Sequence, residues 1–335
     1  MSLVLTIASL LLLGVASPQD KPVRVGELEF FGYQGLDLNQ IRPAIPVHAG
    51  DEFPPSEKNR VKERIKQSVE TAIGRPATDV ATICCDNSGQ MTIYVGLPGK
   101  SSETVAYNPA PSGAVLLPAK ALELYKSEDD AVMHAVQNGR AGEDDSEGYA
   151  LSVDPALRSI ELQMREYATR DEPLFRRVLQ FSSHADDREA AAEILGYANQ
   201  SQKQIDSLVH ASYDPDDDVR NNAVRALGVL ASSSPKTAGL IPASGFIAML
   251  NSGVWTDRNK AGFLILTLTQ SRNPGLLDEL RARALPSLIE MALWDASHAY
   301  PARMILGRVA GIDETRLQKL VDTGQVDAII NSVQK

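Results

Sequence analysis

The stretch Arg220-Asn-Asn-Ala-Val-Arg-Ala-Leu-Gly228 is one of four related versions in the C-terminal half of the chain. The others are Arg188-Glu-Ala-Ala-Ala-Glu-Ile-Leu-Gly196, Arg258-Asn-Lys-Ala-Gly-Phe-Leu-Ile-Leu266 and Ala299-Tyr-Pro-Ala-Arg-Met-Ile-Leu-Gly307. Successive versions begin 32, 38 and 41 residues apart, which is the period of an array of paired helices. Such arrays mainly form extended binding surfaces, so the pattern predicts a recognition protein and leaves its partner open.

The second version resembles the HEAT-repeat family. Its unit opens with Asp218-Val-Arg220 and continues to Gly228, at the small-residue position of the first helix. The resemblance implies an α-solenoid over residues 172–335, with two helices in each unit. The second helices of the units are expected at 204–213, 241–251, 276–293 and 326–333.

Three acidic residues, Asp216, Asp217 and Asp218, precede Arg220 at the start of the second unit. In the HEAT-repeat family such side chains form a ladder between neighbouring units and cap helix starts, where the helix dipole favours carboxylates. The resemblance therefore implies a structural role for this cluster. Metal binding is the alternative, since grouped carboxylates also suit divalent cations.

The N-terminal part, residues 22–96, has the pattern of a small α+β module. Alternating apolar residues over 24–31 predict a half-buried strand with Glu27 and Glu29 on its other face. Helical spacing and two further alternating stretches follow, so the predicted order is β-α-α-β-β. The elements after the first strand are expected at 38–45, 56–73, 80–85 and 91–95.

This order resembles the POTRA domain, the polypeptide-transport-associated module of outer-membrane assembly and secretion proteins. The resemblance rests on Leu28-Glu-Phe-Phe-Gly32, on Val47-His-Ala-Gly-Asp-Glu-Phe53 and on the final hairpin. It implies that an extended peptide pairs with an exposed edge of the sheet. The alternative is a small structural domain that packs against the solenoid. The expected fold class is α+β, a β-α-α-β-β module joined to an all-α HEAT-like solenoid.

The remaining segments predict export and a linker. Residues 1–16 are apolar and are followed by small and then polar residues, as in a secretory signal peptide. The expected location is periplasmic or otherwise extracytoplasmic, and a buried segment of a cytosolic protein is the alternative. No membrane span is expected after signal removal, because a span needs about 20 apolar residues. Residues 97–118 have the Pro, Gly and Ser content of a linker, and residues 119–171 predict a helical connector.

Composition narrows the class of partner. The hydrophobic fraction of 43% is ample for buried cores, and 335 residues are enough for two domains. The net charge of −10 argues against nucleic acid, because phosphate binding needs clustered lysine and arginine. A protein or peptide is therefore the expected partner.

The two cysteines, Cys84 and Cys85, are adjacent. Neighbouring side chains of a strand point to opposite faces, and consecutive Cα atoms are closer than most disulfides require. We therefore expect two separate thiols, with a redox-active disulfide between the neighbours as the alternative. The sequence has no further cysteine to complete a metal site with this pair.

The sequence predicts no catalytic residue, no cofactor and no metal site. Its five histidines are far apart, and it contains no His-Glu-x-x-His, no phosphate loop and no nucleophile elbow. The predicted function is an exported, non-catalytic scaffold that binds a protein or peptide in the cell envelope. The alternatives are an enzyme on a HEAT-like scaffold, as in the chromophore lyases that some such proteins resemble, and a purely structural envelope component.

Five residues are candidates for binding the partner. Aromatic and arginine side chains dominate interface energetics, and Trp255, Trp294 and Tyr300 lie at predicted junctions between units. Arg281 and Arg283 lie on a predicted second helix. The alternative for the tryptophans is that they fill gaps between imperfect units.

Overall fold

A small sheet module and an array of helices make up the chain. The computed structural model describes residues 22–86, 88–140 and 142–334. The predicted signal peptide, residues 1–16, lies outside these ranges. Within them, no helix combines the length and the apolar character that crossing a membrane requires.

The module is a four-stranded sheet with two helices on one face, which confirms the predicted order of its main elements. The strand order is β2-β1-β4-β3, with β1 parallel to β4 and the other neighbours antiparallel. The two-residue strand β2 was not predicted. The elements are β1 (Val23–Phe31), α1 (Leu38–Ile41), β2 (Glu52–Phe53), α2 (Lys58–Ile73), β3 (Asp79–Ile83) and β4 (Met91–Gly96).

Both faces of this sheet are buried. Leu28 and Phe30 belong to the core shared with α1 and α2, whereas Phe31 and Tyr94 belong to the core of the helical array. The prediction that only one face of the first strand is buried is therefore wrong for the C-terminal end of β1. Glu29 is 7% exposed, because the array covers the face that it occupies.

The array begins with a connector and continues as helical pairs, so the predicted α+β class with an all-α second part is confirmed. The connector consists of α3 (Ala119–Gln137), the hairpin of β5 (Glu143–Asp144) and β6 (Leu151–Ser152), and α4 (Pro155–Phe181). The array then consists of α5 (Ala185–Gly196), α6 (Gln202–Ala211), α7 (Asp217–Ser233), α8 (Pro235–Ala238), α9 (Ala243–Met249), α10 (Trp255–Leu268), α11 (Pro274–Arg283), α12 (Leu285–Ala292), α13 (Tyr300–Val309), α14 (Glu314–Asp322) and α15 (Val326–Val333).

The four versions of the repeated stretch lie on α5, α7, α10 and α13, and each is the first helix of a pair. Additional helices, α8 and α14, precede the second helices expected over 241–251 and 326–333. The single helix expected over 276–293 is two helices, α11 and α12, which meet at Ala284 with φ −128° and ψ 4°. Pro286 follows in the first turn of α12, where a proline without an N–H begins a helix and does not continue one.

A ladder of buried arginines joins the units. Arg188, Arg220 and Arg258 each lie in the first turn of a helix that carries the repeated stretch. Each donates to the backbone carbonyl six residues earlier, which fixes the loop that precedes its helix. The bonds are Arg188 to Ser182 (3.0 Å), Arg220 to Asp214 (2.8 Å) and Arg258 to Ser252 (2.5 Å).

Two of these arginines also contact an acid of the next unit. Arg188 binds both carboxylate oxygens of Asp214 at 2.7 and 2.8 Å, and Arg220 binds Asp257 at 2.8 Å. The predicted ladder is therefore present, but its acids are not the three consecutive aspartates. Asp216 instead caps α7, where its carboxylate accepts from two backbone N–H groups of the first turn.

Candidate functional site

The two tryptophans lie between the module and the array, not on a free surface. Trp294 is 2% exposed and donates from Nε1 to the carbonyl of Phe30 at 2.8 Å. Its ring and that of Trp255 flank Tyr94 of β4, with centroids 4.9 and 5.1 Å from the tyrosine ring. Trp255 and Trp294 therefore pack against the chain's own module.

The other three candidates are not brought together with the tryptophans. Arg281 donates to the last carbonyls of α13 and α15, which ties the end of the array together. Arg283 pairs with Glu279 one turn earlier on α11. Tyr300 is 38% exposed at the start of α13. The five residues therefore do not form one site.

Acidic side chains hold the module on the array. The carboxylate of Glu290 accepts from the N–H of Gly32 at 2.7 Å and from the hydroxyl of Ser101 at 2.5 Å. Burial raises the pKa of Glu290, while the Ser101 hydroxyl and the charge of Arg258 lower it. An acid of the module likewise accepts from the array: Glu29 of β1 accepts from the backbone N–H of Asp295 at 2.6 Å. Local sequence patterns do not predict these contacts, because the partners are far apart along the chain.

The linker, residues 97–118, contains no helix and none of the numbered strands, but it is pinned along the array. It meets the loops before α10, α7 and α5 in turn, once every five residues. Backbone groups of the linker form these bonds, as an extended ligand would. They are Glu103 N–H to Asn251 (2.7 Å), Asn108 N–H to Tyr213 (2.7 Å) and the Gly113 carbonyl from Ser183 N–H (2.9 Å).

Tyr107 of the linker contacts both members of the Arg220–Asp257 pair of the ladder. Its hydroxyl donates to Asp257 at 2.5 Å, and its ring stacks 3.9 Å from the guanidinium of Arg220. Replacement of Tyr107 by phenylalanine is expected to lower the free energy of unfolding by about 1.5–3 kcal/mol, the contribution of a hydrogen bond to a charged group. Urea unfolding measures this, with Tyr300→Phe as the matched control. Equal stability of the two variants would contradict a role for the Tyr107 hydroxyl.

A cavity of about 420 Å³ lies where the module, the linker and the array meet. Its polar lining includes Arg75 and Thr78 just before β3, Ser102 and Glu103 of the linker, and Ser252 of the array. Within the described ranges, Arg75 forms no hydrogen bond or ion pair, whereas Glu103 accepts from the amide of Asn251 at 3.4 Å. The lining therefore contains one cation, Arg75, and one anion, Glu103.

The outer edge of β3 is the longer free edge of the sheet. β3 is an end strand of five residues, and the strand at the other end, β2, has two. In the part of the chain that the structure describes, β4 is the one strand that pairs with β3. The strand contains no proline or lysine to block a further strand.

Charges of opposite sign flank this edge. Burial and neighbouring lysines lower the pKa of Lys62 on α2, whereas the carboxylates of Asp79 and Asp217 raise it. Asp218 of α7 has its pKa raised by burial and by the adjacent aspartates, and lowered by Lys58. Lysines of α2 and aspartates at the start of α7 are therefore close enough to interact electrostatically beside β3.

The two cysteines follow β3 directly and are joined in a disulfide. The prediction of separate thiols is therefore wrong. That prediction extended the strand over 80–85, whereas β3 ends at Ile83, so the alternation of a regular strand does not apply to Cys84 and Cys85. Cys84 is exposed and Cys85 is half-buried.

The described ranges contain two groups of three carboxylates. Within each group, the three carboxylate oxygens lie within 4.8 Å of one another. The groups are Glu27 with Glu29 and Asp295, and Asp216 with Asp217 and Asp218. Each group already has a structural task, since Glu29 accepts from the backbone of the array and Asp216 caps α7. No observation within the described ranges therefore specifically supports the metal-binding alternative.

A third group of acids is buried beneath α3. Glu128 is 7% exposed and lies near Glu193 of α5 and Arg225 of α7. Burial, together with the charge of Glu193, raises the pKa of Glu128 to about 9. Tyr197, 2% exposed, faces the same acids, and its hydroxyl has no partner within the described residues. Local sequence patterns do not predict this cluster, because its members come from separate helices.

Comparison with known proteins gives distant likenesses of fold. Neither a family model nor a curated protein matches the chain. An engineered protein of known structure is 15% identical, with 54% of this chain and 90% of that chain covered and a TM-score of 0.37. A designed armadillo repeat protein in complex with the peptide (KR)4 is 15% identical, with 53% and 91% covered and a TM-score of 0.34.

Proposed function

We propose that the chain is an exported, non-catalytic adaptor that binds an extended segment of a partner protein in the cell envelope. The docking element is the outer edge of β3. One observation carries this proposal: a five-residue end strand presents unpaired backbone groups, while both faces of its sheet are buried. Addition of a strand to such an edge is a common mode of peptide recognition.

The surroundings of β3 suit this role. The sheet is fixed by the contacts of Glu29, Glu290 and Trp294, so the edge is held in place before a peptide arrives. Preorganisation reduces the entropy lost on binding. The POTRA-like order of the module supports the same mode of binding. The solenoid acts in this proposal as the support of the module.

A purely structural envelope component is the second candidate, favoured by one specific observation. The module and the linker both cover the loops that precede the first helices of the units, and the module's aromatic face is buried there. In this candidate the β3 edge binds nothing.

Hydrogen exchange separates the two candidates. The full chain is incubated with a pool of random octapeptides, and exchange is measured at the amides of residues 79–83. We expect slower exchange at β3, because half of its N–H groups become donors to the added strand. A pool with N-methylated amides is the control and should give no protection. Unchanged exchange with the normal pool would exclude docking at β3.

Export is tested separately. We expect the mature protein to begin close after Ala16 and to be recovered from the periplasmic or secreted fraction. Recovery from the cytosol with Met1 intact would exclude export and a role in the cell envelope. The proposed peptide binding at β3 does not depend on this result.

A further inference from the structure

We propose that the loops before α5, α7 and α10 form a second peptide-binding surface, which the linker occupies as an internal ligand. An extended segment of a partner displaces the linker when it has the same pattern. That pattern is a tyrosine–asparagine pair with a glycine five residues after the asparagine. The inference concerns the array and is independent of docking at β3.

The linker backbone pairs with equivalent positions of three units, those five and seven residues before the repeated arginine. At α10 both positions are used, at α7 the seventh and at α5 the fifth. The bonds are Glu103 N–H to Asn251 (2.7 Å), Gly253 N–H to Glu103 (3.1 Å), Asn108 N–H to Tyr213 (2.7 Å) and Ser183 N–H to Gly113 (2.9 Å). Each step from one unit to the next therefore corresponds to five residues of an extended chain.

The arginine ladder prepares these positions from within the array. The carbonyl six residues before each arginine accepts from that arginine, whereas the groups at positions five and seven bond to the linker. Successive residues of an extended chain direct their backbone groups to opposite edges. Ser182 and Ser252 show this arrangement, since they form parallel bridges with Gly113 and Glu103. One edge of the loop is thus fixed, and the other is preorganised for a ligand.

Two linker side chains make specific contacts at the loop before α7. Tyr107 contacts both Arg220 and Asp257, with its ring on the guanidinium and its hydroxyl on the carboxylate. The side-chain amide of Asn108 donates to the carbonyl of His210 at 3.0 Å. A partner segment with the same two residues reproduces all of these contacts.

The loop before α5 requires a glycine. A Cβ atom at Gly113 would lie 2.4 Å from the carbonyl oxygen of Phe181. This oxygen belongs to the backbone at the end of α4, so it cannot turn away as a flexible side chain would. A displacing segment therefore needs a glycine five residues after its asparagine.

The middle of the linker has few contacts besides these bonds. Residues 102–116, all of which the structure describes, include no buried residue, and no turn or bend interrupts residues 104–112. Exposed backbone with few buried contacts belongs to the least stable parts of a fold. Ser101 and Leu117 at the two ends are buried. The segment between them can therefore leave its loops while both ends stay in place.

The first measurement uses the full chain with Gly113→Val, which expels the linker from the loop before α5. Ala114→Val is the matched control at an exposed neighbouring position. Amide hydrogen exchange is followed at Ser183, whose N–H loses its acceptor in Gly113→Val. We expect exchange about tenfold faster than in the parent chain, as the loss of one hydrogen bond allows, and no change in the control. Unchanged exchange in Gly113→Val would contradict the assigned surface.

A synthetic peptide of residues 102–116 is then added. We expect it to slow the exchange of Ser183 in Gly113→Val again. By fluorescence anisotropy it should bind this variant about tenfold more tightly than the parent chain, in which the tethered linker competes at a high effective concentration. The peptide that itself carries Gly113→Val should not bind.

Tyr107→Phe is a second variant, which weakens the linker at the loop before α7 without a clash. The peptide should bind it more tightly than the parent chain as well. If the peptide leaves the exchange of Ser183 unchanged in Gly113→Val, or binds all three chains equally, the linker is a structural segment and the inference is wrong. Docking of the peptide at β3 would be equal in all three chains and would tolerate valine, so the two sites are distinguishable.

Discussion

Replacement of Arg258 by alanine is expected to lower the free energy of unfolding by about 3–5 kcal/mol, the cost of breaking a buried charged network from one side. The side chain is fully buried. Its guanidinium donates to carbonyls of Ser101 in the linker and of Ser252 in the array, and it lies 3.6 Å from the Glu290 carboxylate. Burial lowers the pKa of Arg258 to about 10, so the group stays charged at neutral pH. Alanine would leave Glu290 buried without this cation.

Urea unfolding followed by two signals measures the effect. Far-UV circular dichroism reports the helices, and fluorescence reports Trp255 and Trp294, the two tryptophans of the chain, at the junction with the module. In the parent chain we expect the two transitions to coincide, as one cooperative unit requires. In Arg258→Ala the fluorescence transition should come first, because the junction loses its central cation.

Arg24→Ala is the matched control, since Arg24 is exposed at the start of β1. Its effect should stay within about 0.5 kcal/mol, as for most surface substitutions. A loss of less than about 1 kcal/mol for Arg258→Ala would mean that the arginine fills space at the junction without holding it.

Local pattern was sufficient to predict the units of the array but not the junction. The repeated arginine and the small residues after it are visible in sequence, because they recur at helical spacing and a similar period. The role of Trp294 is not visible, since its hydrogen bond to Phe30 spans 264 positions of the chain. An exposed aromatic anchor and a buried aromatic at a domain junction have the same local sequence, so spacing alone cannot separate them.

The linker shows the same limit. Its Pro, Gly and Ser content predicts a chain without regular structure, and no helix or numbered strand is present there. Composition does not reveal that its backbone follows the loops of three units in steps of five residues. Tyr107 was the available signal, because a tyrosine is unusual in a flexible, solvated linker.

The buried acids beneath α3 lead to the second large effect. The pKa of Glu128 is raised to about 9 by burial and by the charge of Glu193, with Arg225 opposing. Glu161 and Asp129 add negative charge, and burial raises the pKa of Glu161 itself to about 7. A carboxyl with a raised pKa binds its proton more tightly in the folded chain than in the unfolded chain. Its stabilising contribution is complete below about pH 4.5 and is lost as the pH rises towards 9.

Replacement of Glu128 by glutamine is therefore expected to stabilise the chain at alkaline pH. Glutamine keeps the shape of the side chain and removes the charge that burial disfavours. Each unit of pKa difference is worth about 1.4 kcal/mol, so a gain of at least about 2 kcal/mol is expected near pH 8.5. Close to pH 5 the gain should nearly vanish, because Glu128 is then protonated in the folded chain.

Urea unfolding at these two pH values measures the difference, with Glu123→Gln as the control. Glu123 lies on the same helix with its side chain 66% exposed, in a surface pair with Lys120, so its replacement should change stability little at either pH. An equal effect of Glu128→Gln at both pH values would mean that the carboxyl stays ionised when folded, and that Arg225 outweighs burial at this site.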